Sequence, residues 1–375
     1  MKVNNPFILT GYISDKYFCN RTGETSKLLS SIKNYRNTTI YSLRRMGKTG
    51  LIHHTFSKLR NNKNTILIYC DIYQTQNLND FVKVFSNTIL RAAESKPEKF
   101  YKKAIEIFKS IKPKVTADRF TGEPSLEFGV DYHENLLPTL SEIFGYLKSK
   151  SKSNTIVIAI DEFQQILNYP EKNVEAILRT GIQELQNVRF IFSGSRKHLM
   201  QSIFTGSSRP FYQSTEMMNL EKIDANEYGE FISKKFSENH KYIKEKAIDK
   251  ILNFTESYTY YVQYFCNKLY SNYDKEVTEI YVDETESTIL KENESIFLEY
   301  KNLIPLQQWN LVRAISKEKG IESITSMAFI KKYGLTAPST VSNSIKALLE
   351  KEIIYFESGG YYVYDLFFSK WLERN

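Results

Sequence analysis

Ile40-Tyr41-Ser42-Leu43-Arg44-Arg45-Met46-Gly47-Lys48-Thr49-Gly50 reads as the end of a strand, a tight loop and the start of a helix. A helix beginning near Lys48 aims free backbone N–H groups, and the positive end of its dipole, at the loop in front of it. The spacing approaches G-x-x-x-x-G-K-[ST], the pattern of a loop that wraps phosphates. In that reading Lys48 reaches the β- and γ-phosphates of a nucleotide and the Thr49 hydroxyl ligates Mg²⁺. Ser42, Leu43, Arg44, Arg45, Met46, Gly47 and Gly50 complete the lining of the pocket. Ser42 stands where the pattern has its first glycine. Serine is tolerable there if its backbone angles stay in an allowed region.

A Gly-Lys-Thr triplet also occurs by chance, so the flanks matter. An apolar run, Thr39 to Leu43, precedes the loop, and Leu51, Ile52, Phe56 and Leu59 follow it at helical spacing. Further along, Thr155-Ile156-Val157-Ile158-Ala159-Ile160 reads as a buried strand ending in Asp161-Glu162. Ligands bind at the carboxyl ends of parallel strands, which places both acids beside the loop. Asp161 suits a Mg²⁺ role and Glu162 the polarisation of an attacking water. A third strand, Val188 to Phe192, leads into Ser193-Gly194-Ser195-Arg196. Ser193 or Ser195 is the candidate to touch a γ-phosphate, with a plain turn as the alternative. Arg196 and Arg209 are candidates to place charge on a transition state, with surface ion pairs as the alternative.

Length and composition bound the rest. At 375 residues the chain has room for two or three domains, and 41% hydrophobic with 25% charged residues is an ordinary globular composition. The three cysteines, Cys19, Cys70 and Cys266, have neither metal-ligand nor redox spacing. The start carries no signal-peptide pattern and no apolar run reaches a membrane span, so the expectation is a cytoplasmic protein with no membrane partner. The net charge of +8 is concentrated between Lys83 and Arg119. That segment reads first as a solvated helix face and second as a surface for phosphate backbones.

Between these landmarks, Thr65 to Asp71 predicts a buried strand. Leu78 to Ser110 predicts helix broken at Pro97, its second piece turning Phe100, Ala104, Ile105, Phe108 and Ile111 to one face. Residues 112–130, punctuated by Pro and Gly, predict a β-hairpin near Thr121-Gly122-Glu123, and helix follows from about Asn135 to Ser149. Thr22 or Asn20 is placed to cap a helix carrying Leu28, Leu29 and Ile32. From Asp224 strand signals fade: helices are expected over Asp224–Ser237, Ile243–Asn253 and Thr259–Ser271, and across Val277 to Tyr300. From Leu303 the order is helix, helix, helix, hairpin, that of a winged helix-turn-helix. The fold class is thus α/β, a three-layer parallel sheet, followed by a helical lid and a winged helix. The expected divisions are 1–222, 223–302 and 303–375.

The whole order resembles an archaeal-type ATPase domain of the P-loop superfamily, in the STAND-like branch near the AAA+ proteins. The resemblance rests on Phe18-Cys19-Asn20-Arg21-Thr22-Gly23-Glu24 as entry segment and on the double arginine of the loop. It rests further on Ile160-Asp161-Glu162-Phe163-Gln164, on Ser193-Gly194-Ser195 with Ser208-Arg209-Pro210, and on Tyr361 to Leu372 as the close of a winged helix. It implies an ATP- and Mg²⁺-dependent molecular switch in which Ser193 and Arg209 join the nucleotide contacts. It also implies a protein partner of unidentified kind and nucleotide-dependent homo-oligomers. Two departures stand out: Ser42, and Ser257 with Thr259 where the family has glycine and proline in a segment that reports nucleotide state. Two alternatives remain open. One is a nucleotide-gated DNA-binding protein using the winged helix or the basic face. The other is a scaffold that holds ATP without hydrolysing it. Against DNA, the chain from Leu303 has nine Lys/Arg to seven Asp/Glu, and Ile353 to Tyr364 contains no Lys or Arg.

Overall fold

The computed structural model describes residues 4–94, 96–108, 114–117, 121–127, 136–273, 276–318 and 320–375. Two compact units divide the chain. The first holds Thr10–Asp224 with Tyr258–Tyr260, and the second holds Met1–Leu9, Ala225–Ser257 and Tyr261–Asn375.

In the first unit the order is α1 (Thr22–Lys33), β1 (Thr38–Tyr41), α2 (Lys48–Leu59), β2 (Thr65–Asp71), α3 (Leu78–Ala93), α4 (Pro97–Ile107), β3 (Lys114–Ala117), β4 (Pro124–Glu127), α5 (Leu136–Lys150), β5 (Thr155–Asp161), α6 (Val174–Gln183), β6 (Val188–Gly194), α7 (Lys197–Thr205) and β7 (Glu216–Asn219). Five strands form one parallel sheet in the order β2-β5-β6-β1-β7. β5 and β6 are buried along almost their whole length, as expected of strands covered on both faces. Register sets Asp71 beside Asp161 and Tyr41 beside Gly194, so the carboxyl ends of four strands open on one edge. One strand, β6, lies between β1 and β5, so the acids are not on the strand next to the loop but one further across. β3 and β4 form a separate antiparallel ribbon.

Several expectations are sharpened or corrected. α1 begins at Thr22, which is therefore not its cap: Arg21 precedes it in the left-handed region at φ 62°. The Asn20 carboxamide accepts from the Thr22 N–H and hydroxyl instead. On α4, Phe100, Ala104 and Phe108 are buried but Ile105 is 67% exposed, because it lies beyond the edge of the apolar stripe. Lys109, Ile111, Lys112, Arg119 and Asn135 lie outside the described residues. β7 gave no apolar signal in the sequence, being a four-residue edge strand of Glu-Met-Met-Asn.

Beneath the acidic strand end, Phe163, Phe192, Phe204 and Phe211 pack with ring centroids 4.5–5.8 Å apart. Gly194 closes β6 against the ends of the Gln164 and Met200 side chains, which a Cβ there would force to shift. Gly194→Ala is accordingly expected to cost about 1–3 kcal/mol, seen as a fall in Tm of several degrees in calorimetry. An unchanged Tm would mean that this strand end is loosely packed.

The second unit comprises α8 (Ala225–Ser237), β8 (Tyr242–Ile243), α9 (Glu245–Thr255), α10 (Thr259–Asn272, its first two residues belonging to the other unit), β9 (Glu276–Val277), α11 (Glu279–Glu292) and α12 (Glu294–Leu303). It continues through α13 (Leu306–Glu318), α14 (Met327–Lys332), α15 (Pro338–Glu350), β10 (Ile354–Glu357), β11 (Gly360–Val363) and α16 (Leu366–Arg374). The stretch expected to be purely helical contains one two-residue parallel pairing, β8 with β9, too short to leave a periodic trace. The helix expected across Val277 to Tyr300 breaks at Asn293. α13, α14, α15 and the antiparallel β10–β11 pair complete the winged helix, with Trp309, Phe368 and Trp371 in its core. Phe7, fully buried, packs on Phe231, Phe236 and Tyr270. No helix among the described residues is long and apolar enough to cross a membrane.

Candidate functional site

The loop after β1 is shaped by two left-handed residues. Arg45 sits at φ 66° and Gly47, immediately before α2, at φ 91°. Gly47 lies in a region that side chains disfavour, and a Cβ would approach Thr259 Cγ2 at 3.4 Å. Ser42 has no positive φ, so a serine fits its backbone. Its side chain does more than fit. The Lys48 ammonium donates to Ser42 Oγ at 3.1 Å, Ser42 O at 3.3 Å and Leu43 O at 3.0 Å. Lys48 is 7% exposed, and burial pushes its pKa down to about 8 against the pull of Glu162 and Asp161.

Thr49, on the first turn of α2, donates its hydroxyl to Asp161 Oδ2 at 2.8 Å, joining the loop to β5 across the sheet. The other oxygen of Asp161 accepts the Glu162 N–H at 3.0 Å. Glu162 itself is left-handed at φ 55°, a conformation that costs energy for a side chain with a Cβ. Phe163, buried directly after it, anchors the turn. So turned, Glu162 Oε2 accepts from the Ser195 hydroxyl at 2.7 Å and from the Gln164 amide. Ser195 Oγ accepts in turn from Arg44 Nε at 3.5 Å, a long contact that links the loop's first arginine to the acid.

The remaining candidates separate. Ser195 stands at the strand tip beside Glu162, whereas Ser193 is fully buried within β6 and its hydroxyl makes no hydrogen bond to protein. Arg209 pairs with Glu175 of α6 at 2.7 Å. Five residues carry contacts that no periodicity announces. Arg21, pinned by Glu24 at 2.7 Å, donates to Met46 O at 3.2 Å. Thr259 donates its hydroxyl to the same carbonyl at 3.1 Å, and Tyr260 N–H donates to Arg45 O at 3.0 Å. The Arg45 guanidinium lies 4.8 Å from the Tyr260 ring centroid. Tyr69 donates to Asp161 Oδ2 at 2.6 Å, and Gln164 has been placed above. The signal for Arg21 and Thr259 was their motif position; for Tyr69 it was only a polar tip in an apolar strand.

The chemistry of this donor set is specific. A buried ammonium and a helix N-terminus face the loop, which suits a polyphosphate. A hydroxyl and a carboxylate share one point 2.8 Å apart, which suits a hard divalent ion that takes oxygen ligands. No group of three or more His, Cys, Asp or Glu among the described residues, at this site or elsewhere, is arranged to hold a metal by itself.

A family described as "ATPase domain predominantly from Archaea" matches residues 18–265, and a "Probable winged helix domain" matches 295–374. No curated protein matches the sequence. Among solved structures, a Walker-type ATPase of Pyrococcus abyssi superposes with a TM-score of 0.67 at 18% identity, over 98% of this chain and 99% of that one. The ORC2 protein of Aeropyrum pernix, solved as ADPNP-ADP complexes, gives 0.59 at 13% identity, over 98% and 95%. At such identities the likeness is one of fold.

Proposed function

The chain belongs to the family of ATPase domains found predominantly in Archaea, and on that premise we propose that it hydrolyses Mg-ATP and works as a nucleotide-driven switch. The observation that carries the reading is the bond from the Thr49 hydroxyl to the Asp161 carboxylate, which joins two motifs far apart in sequence. Lys48 leaves its three loop oxygens for the β- and γ-phosphate oxygens, and the α2 N–H groups hold the rest of the phosphate chain. Thr49 Oγ1 and the Asp161 carboxylate would hold Mg²⁺, which when bound draws off charge developing on the phosphates. Glu162 Oε takes the proton of the attacking water while Ser195 and Gln164 fix its direction. Phosphate release that requires both ATP and the divalent ion tests this assignment; its absence from purified protein would favour the non-hydrolysing scaffold.

The switch reading rests on Met46 O. Thr259 lies at the start of α10 and donates to this loop carbonyl, so a shift of the loop on nucleotide binding pulls directly on that helix. A proline there could not donate; the threonine hydroxyl supplies a link through its side chain. In this proposal 223–302 serves as a lid and 303–375 as the output domain, read by a protein partner or by a second copy of the chain.

The charge of the winged helix favours protein over DNA as its target. Its β-hairpin presents Tyr355, Phe356, Tyr361 and Tyr362 and no cation, and Phe356 is 55% exposed. Anisotropy titration of labelled duplex DNA is expected to show only salt-sensitive binding no tighter than about 10⁻⁶ M. Tighter binding that is lost in Lys346→Ala and Lys351→Ala would establish the DNA reading instead.

A further inference from the structure

Asp161 is served by a residue that belongs to neither motif. Tyr69 lies on β2, one strand beyond β5 as seen from the loop, in register with Ala159. Along β2, Ile68 and Cys70 turn into the apolar core, so Tyr69 turns to the opposite face, where His53 of α2 packs on its ring at a centroid distance of 4.6 Å. Its hydroxyl donates to Asp161 Oδ2 at 2.6 Å, the same oxygen that Thr49 reaches at 2.8 Å. The Glu162 N–H holds the other oxygen. The carboxylate is thus clamped from three directions by three different elements.

We infer that Tyr69 is a positioning residue for the divalent ion: its hydroxyl fixes the plane of the Asp161 carboxylate so that Asp161 and Thr49 present their oxygens together. The inference rests on the nucleotide reading of the site. Its logic is that of any hydrogen-bond donor behind a metal-binding carboxylate. A carboxylate free to rotate must be immobilised when the ion arrives, and loss of such an outer partner weakens metal binding by about 10- to 100-fold. A tyrosine suits the task because its ring is held by His53 and its hydroxyl has one hydrogen to give.

The test is Tyr69→Phe, which removes one oxygen and retains the ring. Binding of a fluorescent ADP analogue is titrated against Mg²⁺, and separately in excess chelator, with Tm recorded for each protein alone. The expected result is an Mg²⁺ requirement raised at least tenfold, with unchanged nucleotide affinity in chelator. His53→Gln, which alters the ring contact but leaves the hydroxyl, should shift the Mg²⁺ requirement less. If Tyr69→Phe folds with parental affinity in chelator and parental Mg²⁺ dependence, the inference is overturned. It is also overturned if affinity falls equally with and without Mg²⁺, since the tyrosine would then be supporting the pocket in general. Should Tyr69→Phe fail to fold, Tyr69→His and Tyr69→Gln, which keep a donor, must recover Mg²⁺ dependence better than Tyr69→Leu for the inference to stand. Failure of the parent protein to bind the analogue at all overturns the nucleotide reading itself.

Discussion

The Glu162→Gln protein binds ATP within about threefold of the parent and turns it over roughly 10²- to 10⁴-fold more slowly. The amide is nearly isosteric with the carboxylate, and its carbonyl oxygen can still accept from Ser195 and Gln164, so the left-handed turn and its contacts persist. What disappears is the capacity to take a proton from water. The two quantities are read separately, binding by fluorescent nucleotide titration and turnover by phosphate release. Parental turnover would show that Glu162 does not act as the base. Lost binding would show instead that its charge helps to assemble the pocket.

Lys48→Ala removes binding itself. Charge-assisted hydrogen bonds to phosphate contribute about 1.5–3 kcal/mol each, so losing two weakens affinity by about 10²- to 10⁴-fold. The same substitution has a consequence for the protein alone. Folding buries the Lys48 ammonium and lowers its pKa from 10.5 to about 8. Between those values the unfolded chain binds more protons than the folded one, so this group makes stability rise with pH over that window. The parent should gain stability relative to Lys48→Ala as pH is raised from about 8 towards 10.5, a difference measurable by denaturant titration of both proteins. An identical pH dependence would mean that the ammonium is solvated in the folded state.

These predictions show where the sequence was informative. The loop, the helix after it and the acidic strand end were legible because apolar periodicity brackets each of them, and a strand whose interior is entirely Ile, Val and Ala has few other places to go. Arrangement across the sheet was not legible. Nothing local to Asp161 says that β6 separates it from β1, since strand order depends on crossovers far from the residues concerned. Short elements were missed for a related reason: β7 and the β8–β9 pair depend on neighbours for their pairing and have too few residues for a pattern. Ile105 was misplaced because a stripe read from spacing has no sharp edge until a neighbour defines one.

The site follows the same division. Lys48, Thr49, Asp161 and Glu162 were readable because chemistry restricts which residues can occupy such positions. Of the residues that hold them in place, Tyr69, Ser195, Arg21 and Thr259 act over long sequence separations and Gln164 from two residues away, all in ways that many side chains could supply. Ser42 lies between the two cases. It is a departure from the motif as written, yet in the fold its hydroxyl is one of the three oxygens that hold Lys48. Serine thus suits the loop's own geometry.

The central claim is that this pocket hydrolyses Mg-ATP through Glu162. A single-turnover measurement, with protein in excess over radiolabelled ATP and Mg²⁺ present or chelated, tests it most directly. The account predicts complete conversion to ADP and phosphate by the parent, dependent on Mg²⁺, with no conversion on the same timescale by Glu162→Gln even though it retains the nucleotide. ATP recovered bound and intact from the parent protein would contradict it.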